Sequence, residues 1–261
     1  MMRALSTAAS GMDAQQTRLD VTANNIANVS TPGFKRVRAE FAEILVDVER
    51  TPGAATSANT TSPVGIEVGM GARTMGTSRL HSQGDMQQSE NPLDLAIEGP
   101  GFFPIRTASG EINYTRDGTF KTDAEGRIVT SRGEPLATDI TLPEDTLEIN
   151  ISADGIVTAR VPGEVVPVEA GRIELASFAN PAGLVALGGN MYRETTASGQ
   201  PVLGAPGENG TGGVTQHMLE ISNVKIIEEM VDLIAGQRAY EVNARVIKAA
   251  DEMLQQAVNV R

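Results

Sequence analysis

Few side chains in this sequence could do chemistry, and their spacing suits it poorly. The two histidines, His81 and His217, stand far apart, and neither has a histidine or cysteine at ligand spacing. A zinc site here would draw most of its ligands from carboxylates, an uncommon arrangement; both histidines read as structural or surface residues. The chain has no cysteine, so it can form neither a thiolate nucleophile, nor a Cys-ligated metal site, nor a disulfide framework. No G-x-S-x-G elbow occurs, and the glycine-rich run 207–213 holds no lysine, which excludes a phosphate cradle of the P-loop kind. Asp117-Gly118 and Asp154-Gly155 could be offered as the acid–base carboxylates of a secreted cell-wall hydrolase. Asp-Gly is, however, the ordinary chemistry of a hairpin turn. N-x-S/T matches, among them those at Asn28, Asn59, Asn150 and Asn209, are expected by chance in a chain this rich in Ser and Thr. The expectation is no catalytic, metal or cofactor site, and no enzyme.

The charge is distributed unevenly. The formal net charge is −12, which disfavours a nucleic-acid partner because phosphate binding needs clustered Lys and Arg. Residues 1–45 carry a net +1 and residues 221–261 a net −1, so the acidity lies in the middle. Near-neutral ends on an acidic body fit ends that pack against copies of themselves, and an acidic surface kept for solubility explains the same numbers. No run approaches the ~18 apolar residues of a membrane span, so no membrane insertion is expected. The opening Met1-Met2-Arg3-Ala4-Leu5-Ser6-Thr7 leads into an amphipathic pattern without the apolar core of a signal peptide. The expectation is a chain that stays in the cytoplasm or leaves without a cleaved signal.

Glycine and proline divide the chain. Of 27 Gly and 13 Pro, all but Gly11, Gly33, Gly236 and Pro32 lie within 51–220; helices exclude both residue types and turns need them. At the N-terminus, Leu5, Ala9, Met12, Gln16, Leu19, Ala23 and Ile26 alternate at spacings of four and three, a heptad seam broken by Gln16. It stops near Asn28, where Pro32 pushes Thr31 extended. At the C-terminus the seam is Ile226, Met230, Leu233, Gln237, Tyr240, Ala244, Ile247, Leu254 and Val258, with Asp251 its charged member. A second stripe runs beside it through Val231, Ile234, Val242, Val246, Ala249 and Met253. So wide an apolar face needs more than one partner helix. Periodicity alone also fits a helix hairpin packed onto its own domain.

The middle reads as short strands with a turn about every ten residues. Leu147, Ile149 and Ile151 alternate with polar residues before Asp154-Gly155, and Ala124-Glu125-Gly126 joins Phe120-Lys121-Thr122 to Arg127-Ile128-Val129-Thr130. Residues 122–130 and 152–159 echo one another through shared hairpin chemistry. Residues 199–213 read as a loop. Within 46–63 the alternating Val46-Asp47-Val48-Glu49-Arg50 gives way to TPGAATSANTTSP, with too little apolar content for a core. Pro52 and Pro63 favour an extended arm there.

Four blocks then carry a resemblance. Ala23-Asn24-Asn25-Ile26-Ala27-Asn28-Val29-Ser30-Thr31-Pro32-Gly33-Phe34-Lys35, Ile97-Glu98-Gly99-Pro100-Gly101-Phe102-Phe103 and Tyr114-Thr115-Arg116-Asp117-Gly118-Thr119-Phe120 resemble blocks of the bacterial flagellar rod and hook family. Ser222-Asn223-Val224 with Gln237-Arg238-Ala239-Tyr240-Glu241-Val242-Asn243 resembles a fourth. The blocks run in order over nearly the whole chain, and Asn24, Asn25, Asn28, Gly33, Phe34, Gly101, Phe102 and Phe103 are their signature residues; Pro100 departs from the polar residue more usual there. The length, Leu80-His81-Ser82-Gln83-Gly84 and the stretch 46–63 are nearest to the distal-rod branch, with a proximal rod subunit the rival.

The resemblance implies an α+β fold in which N- and C-terminal helices pair as a coiled-coil-like layer inside a β-rich middle of short antiparallel strands. It implies an N-terminal helix over 1–32, an extended or β linker region over 33–80, a β-rich outer domain over 81–221 and a C-terminal helix over 222–261. It implies a rigid hollow shaft of helically arranged copies that carries torque from motor to hook across the periplasm, reached unfolded through the flagellar type III export apparatus. The implied partners are copies of the chain, proximal rod proteins, the hook protein, and the peptidoglycan-ring and outer-membrane-ring proteins. The subunit interface is expected at Leu5, Met12, Leu19, Ile26, Ile226, Met230, Leu233, Tyr240, Ile247 and Leu254. The stretch with Val46, Pro52 and Pro63 is expected to lie on neighbouring subunits and stiffen the shaft.

Overall fold

The computed structural model describes residues 2–53, 55–57, 60–61, 63–163 and 166–259, and the chain divides into two compact units. The first comprises residues 1–27, 37–78 and 225–261. Its helices, α1 (Met2–Ala27) and α2 (Ile226–Asn259), are packed on each other. The face of α1 turned to α2 is made of small and polar side chains, with Ala8, Ala14, Thr22 and Asn25 buried and Gly11 half-buried. The opposing heptad on α2 is Glu229, Gly236, Asn243 and Ala250. The two helices each have one interior glycine, and both sit at this crossing. A Cβ on Gly11 would come 3.0 Å from Asn243 Nδ2, and one on Gly236 would come 2.9 Å from Leu19 Cδ2. The glycines that weaken a helix by about 1 kcal/mol each are here what lets two backbones approach.

The same unit holds the segment between the helices as strand pairs. Val37–Glu43 lies beside Ala72–Arg79, and Val46–Arg50 runs antiparallel to Ile66–Gly69. Beyond that pair Ala55–Ser57 meets Thr60–Thr61. The predicted extended arm is therefore a β-hairpin folded back on itself; residues 54, 58, 59 and 62 lie outside the described ones.

The second unit, residues 28–36 and 79–224, is built of short antiparallel strands. A four-stranded sheet orders Val185–Gly188, Met191–Arg193, Ile112–Thr115 and Phe103–Arg106, and a three-stranded sheet joins Glu148–Ile151, Ile156–Arg160 and Val168–Arg172. The turns follow their predicted chemistry: Gly126 and Gly155 have φ of 77° and 80°. Asp123 Oδ1 accepts the N–H groups of Glu125 and Arg127, as Ser152 Oγ accepts that of Ile156. That parallel accounts for the echo between the two hairpins. The loop expected over 199–213 contains a strand, Val202–Gly204, paired with Leu175–Ser177. The apolar pair Val202-Leu203 sits between turn residues, and the backbone partner, invisible locally, decides its conformation.

One aliphatic core gathers Leu95, Ile97, Phe103, Ile105, Phe120, Ile128, Val157, Ile173 and Leu175. A second, aromatic one gathers Phe102, Tyr114, Phe178 and Tyr192. A test of the helix crossing follows. Gly236→Leu is expected to lower the stability of the helix pair by about 1–3 kcal/mol, whereas Gly236→Ala needs only the end of Leu19 to move. Thermal melts followed at 222 nm should separate the two variants; coincident melts would mean that close approach at Gly236 is not required.

Candidate functional site

Of the residues expected at an interface, Leu5, Met12, Leu19 and Ile26 of α1 are half-buried, as are Leu233, Ile247 and Leu254 of α2. They flank the small-residue seam. Ile226, Met230 and Tyr240 remain exposed. The buried face of α1 lies one position before the apolar series read from the sequence, so that Ala9, Gln16 and Ala23 are exposed. Two polar contacts set the pairing: Asn25 Nδ2 donates to Glu229 Oε2 at 3.1 Å, and Arg18 Nη2 meets Asp232 Oδ1 at 2.7 Å. A seam of Ala, Gly, Thr and Asn buries little apolar area, so this helix pair draws little stability from its own contact.

On the far side of α2, about half a turn from Gly236, Ile227, Val231 and Ile234 are exposed, Ile227 by 79%, with Val242 at the margin of that face; Val246 and Met253 are exposed nearer the inner seam. Arg238 and Arg245 stand on the same face seven residues apart. The corresponding outer face of α1 carries Asp13 and Asp20, also seven apart, among the exposed Ala9, Ala23 and Ala27. An apolar stripe this long is what a soluble monomer avoids and an interface uses. Val46 is exposed too, as are Pro52 and Pro63 at the foot of the hairpin.

The signature residues mark a different place. In the second unit Lys35, Arg116 and Glu220 form a buried ionic node with side chains 1%, 4% and 1% exposed. Lys35 Nζ meets Glu220 Oε1 at 2.6 Å, and Arg116 Nε meets Oε2 at 2.6 Å. The Gly84 N–H donates to Oε1 at 2.7 Å, and Lys35 also donates to the Ser82 carbonyl. Arg116 spends its remaining donors on the carbonyls of Gly99, Gly101 and Ile97. The N–H of Gly33, at φ 68°, donates to the Glu220 carbonyl, and a Cβ there would lie 2.6 Å from the Asp117 nitrogen. Phe34 packs under the Arg79 guanidinium. Phe102 and Phe103 send successive rings into the aromatic and the aliphatic core. Asn25 is the most deeply buried polar residue among those described in α1, exchanging two hydrogen bonds with the Val37 backbone; Asn28 accepts the Thr31 hydroxyl at its turn, and Asn24 is exposed.

The sequence reading missed the node, although Lys35 and Arg116 stand inside its quoted blocks. Asp117 Oδ1 caps its own turn through Thr119, and burial raises its carboxyl above the usual range, helped by Asp94. The recess of about 20 Å³ beside Asp117 does not include Asp154 in its lining. Beside the node, His81 packs edge-on to Phe102 and Tyr192. Its pKa is lowered to about 4 by burial, then by Lys35, Arg79 and Arg116.

Three family models match the chain: "Flagella basal body rod protein" over residues 5–35, "Flagellar hook protein FlgE/F/G D1 domain" over 96–159, and "Flagellar basal body rod FlgEFG protein C-terminal" over 215–260. Each matched segment supplies one member of the Lys35–Arg116–Glu220 node. Among curated proteins, the flagellar basal-body rod protein FlgG of Borreliella burgdorferi is 46% identical, covering 100% of this chain and 99% of its own. That of Caulobacter vibrioides is 46% identical over the whole of both chains. The flagellar basal-body rod protein FlgF of the same organism is 35% identical over 95% of this chain and 94% of its own.

The depressed His81 pKa has a pH consequence. Unfolding returns the ring to about 6.5, so the unfolded chain binds more protons between pH 6.5 and 4, and stability falls as pH drops through that window. Relative to His81→Gln, the native chain is expected to lose up to roughly 3 kcal/mol across it, read by urea midpoints at each pH. Parallel pH profiles for the two proteins would contradict the buried, neutral ring.

Proposed function

The chain belongs to the flagellar basal-body rod family, and from that premise we propose how it serves as a structural subunit of the rod. It is a component of the flagellar basal body and is most like the FlgG members of the family. We place it in the distal rod, where copies arranged helically through α1 and α2 form a stiff hollow shaft carrying torque to the hook. The FlgF relative is the less similar of the two kinds of relative, at 35% identity against 46% for the FlgG of the same organism. Catalysis has no part in this reading: the relatives are named as rod proteins, and Asp117 is committed to its own turn. The expected neighbours are proximal rod subunits, the hook protein and the two ring proteins, with delivery unfolded through the type III export apparatus.

The observation that carries the assembly reading is the exposed stripe on α2. Large side chains at Val231, Ile234 and Val242 would seat against the small outer face of a neighbour's α1 at Ala9, Ala23 and Ala27. The heptad-spaced Arg238 and Arg245 would meet the heptad-spaced Asp13 and Asp20. Ile234→Asp tests this directly. Ile234 lies away from the α1 contact, so the fold should persist while assembly fails, because a carboxylate buried unpaired costs several kcal/mol in every repeated contact. The readouts are circular dichroism of the purified chain and swimming of cells that carry the variant. Normal motility would leave the stripe without a role. Leu233→Asp, half-buried between the helices, would confound the two effects.

The stretch 46–63 supplies the stiffness in this proposal. Its hairpin exposes Val46 and Val48 on one face and Ile66 and Val68 on the other, each by 38–45%, apolar contacts that neighbouring subunits could cover. Deleting residues 54–62 should leave rods that assemble through the helices but curve under load in electron micrographs. Straight rods of unchanged stiffness would assign rigidity to the packing of the β-rich units instead.

A further inference from the structure

The charges of the buried node do not balance. Lys35 and Arg116 share the single carboxylate of Glu220, and both its oxygens are taken. Among the described residues no other carboxylate pairs with either cation. Arg79 brings a third positive charge, set over the rings of Phe34 and Tyr192 at 6.0 and 5.6 Å. The donors of Arg116 not used by Glu220 go to neutral carbonyls, so dipoles alone answer the surplus. Burial lowers the Lys35 pKa even though Glu220 opposes the shift. A net positive charge is thus held out of water, where it is costly unless a counter-charge joins it.

A cavity of about 50 Å³ opens at this point, bordered by Lys35, Arg116, His81, Phe102, Phe178 and Ser177, with no acidic residue in its lining. That is several times the roughly 10–15 Å³ that admits one water. Two side chains at its border have a donor left over. Lys35 carries three N–H groups, and Ser82 and Glu220 accept two of them. His81 Nδ1 is buried without a hydrogen-bond partner, and with its proton on that nitrogen the neutral ring donates.

We infer that this recess is a binding site for one small monovalent inorganic anion, chloride being the natural occupant, held by Lys35 and His81 Nδ1 and neutralising the surplus charge of the node. One unit of charge matches Lys35 and Arg116 against Glu220. The size of the recess suits a halide and disfavours a hydrated oxyanion. The bound ion would tie the block ending in Lys35 to the aromatic core through Phe102, so the β-rich unit would be more stable in its presence.

Thermal unfolding of the full chain tests this at fixed ionic strength, with sodium gluconate replaced stepwise by sodium chloride, bromide or sulfate. Chloride and bromide should raise Tm along a saturating curve by a few degrees, and sulfate should not. Lys35→Met should abolish the response, and His81→Phe should weaken the apparent affinity at least tenfold. Crystals grown in bromide should show an anomalous peak between Lys35 and His81. A Tm unchanged by the halides overturns the site, as does a response of equal size in both variants, which would be a general salt effect. Should Lys35→Met fail to fold, His81→Phe and the bromide position still decide the matter.

Discussion

One carboxylate, that of Glu220, holds the β-rich unit in register. It joins residues 35, 84 and 116 to the strand before the last helix, segments that lie up to 185 positions apart. A charge so deeply buried stabilises little on balance, because desolvation offsets most of the attraction; removing one partner, however, costs about 3–5 kcal/mol. The effect is discrimination. Any alternative pairing of these short strands, several only three residues long, would strand Glu220 or Arg116 without its partner. Short strands with few aromatics specify their register weakly by packing alone. The node supplies what the hydrophobic pattern lacks, and Gly33 has to be glycine so that the backbone carrying Lys35 can come within reach of it.

The helical unit works by the opposite allocation. Its inner seam is small and polar, flanked by half-buried Leu, Met and Ile side chains, while Ile227, Val231, Ile234 and Val242 point outward. A monomer built this way is poorly stabilised, since about 25 cal/mol per Å² is forgone wherever apolar surface stays wet. For a subunit that is built into a polymer, that weakness is useful: in the proposed assembly the helices would gain most of their burial only when neighbours arrive. Gly11 and Gly236 fit this allocation, because close backbone approach keeps the pair together without consuming Val231, Ile234 and Val242.

Much of this was legible in the sequence. The exclusion of Gly and Pro from the ends located both helices, since it reflects backbone constraints that act locally. The Asp154-Gly155 and Glu125-Gly126 turns located their hairpins for the same reason, through φ values only glycine adopts readily, whereas Asp117-Gly118 joins two strands that pair elsewhere and Gly118 is not at positive φ. Features set by distant partners were harder to read. Val202-Leu203 became a strand because Leu175–Ser177 lies beside it, and nothing near residue 202 announces that. The inner seam of α1 escaped notice because apolar periodicity highlights Leu5, Met12 and Leu19, while the more deeply buried positions are the small and polar Ala8, Thr22 and Asn25 and the closest backbone approach is at Gly11. The ionic node was invisible for a third reason. Lys35 and Arg116 look like surface charges in sequence, and only the fold brings them to Glu220.

The two units therefore apply the same principle in reverse order. In the β-rich unit, polarity is buried to fix one arrangement inside a chain. In the helical unit, apolarity is exposed to fix one arrangement between chains. Exposed apolar stripes alone would be promiscuous, because dispersion and hydrophobic contact carry little directional information. The charges set among them supply direction: Arg238 and Arg245 repeat at seven residues on α2, as Asp13 and Asp20 do on α1. A neighbour displaced by one residue would lose both the fit of large side chains into alanine surfaces and the pairing of these charges. In the proposed assembly, register between subunits would be encoded as it is within them, by charges that are costly to leave unmatched against an apolar background that is indifferent to position.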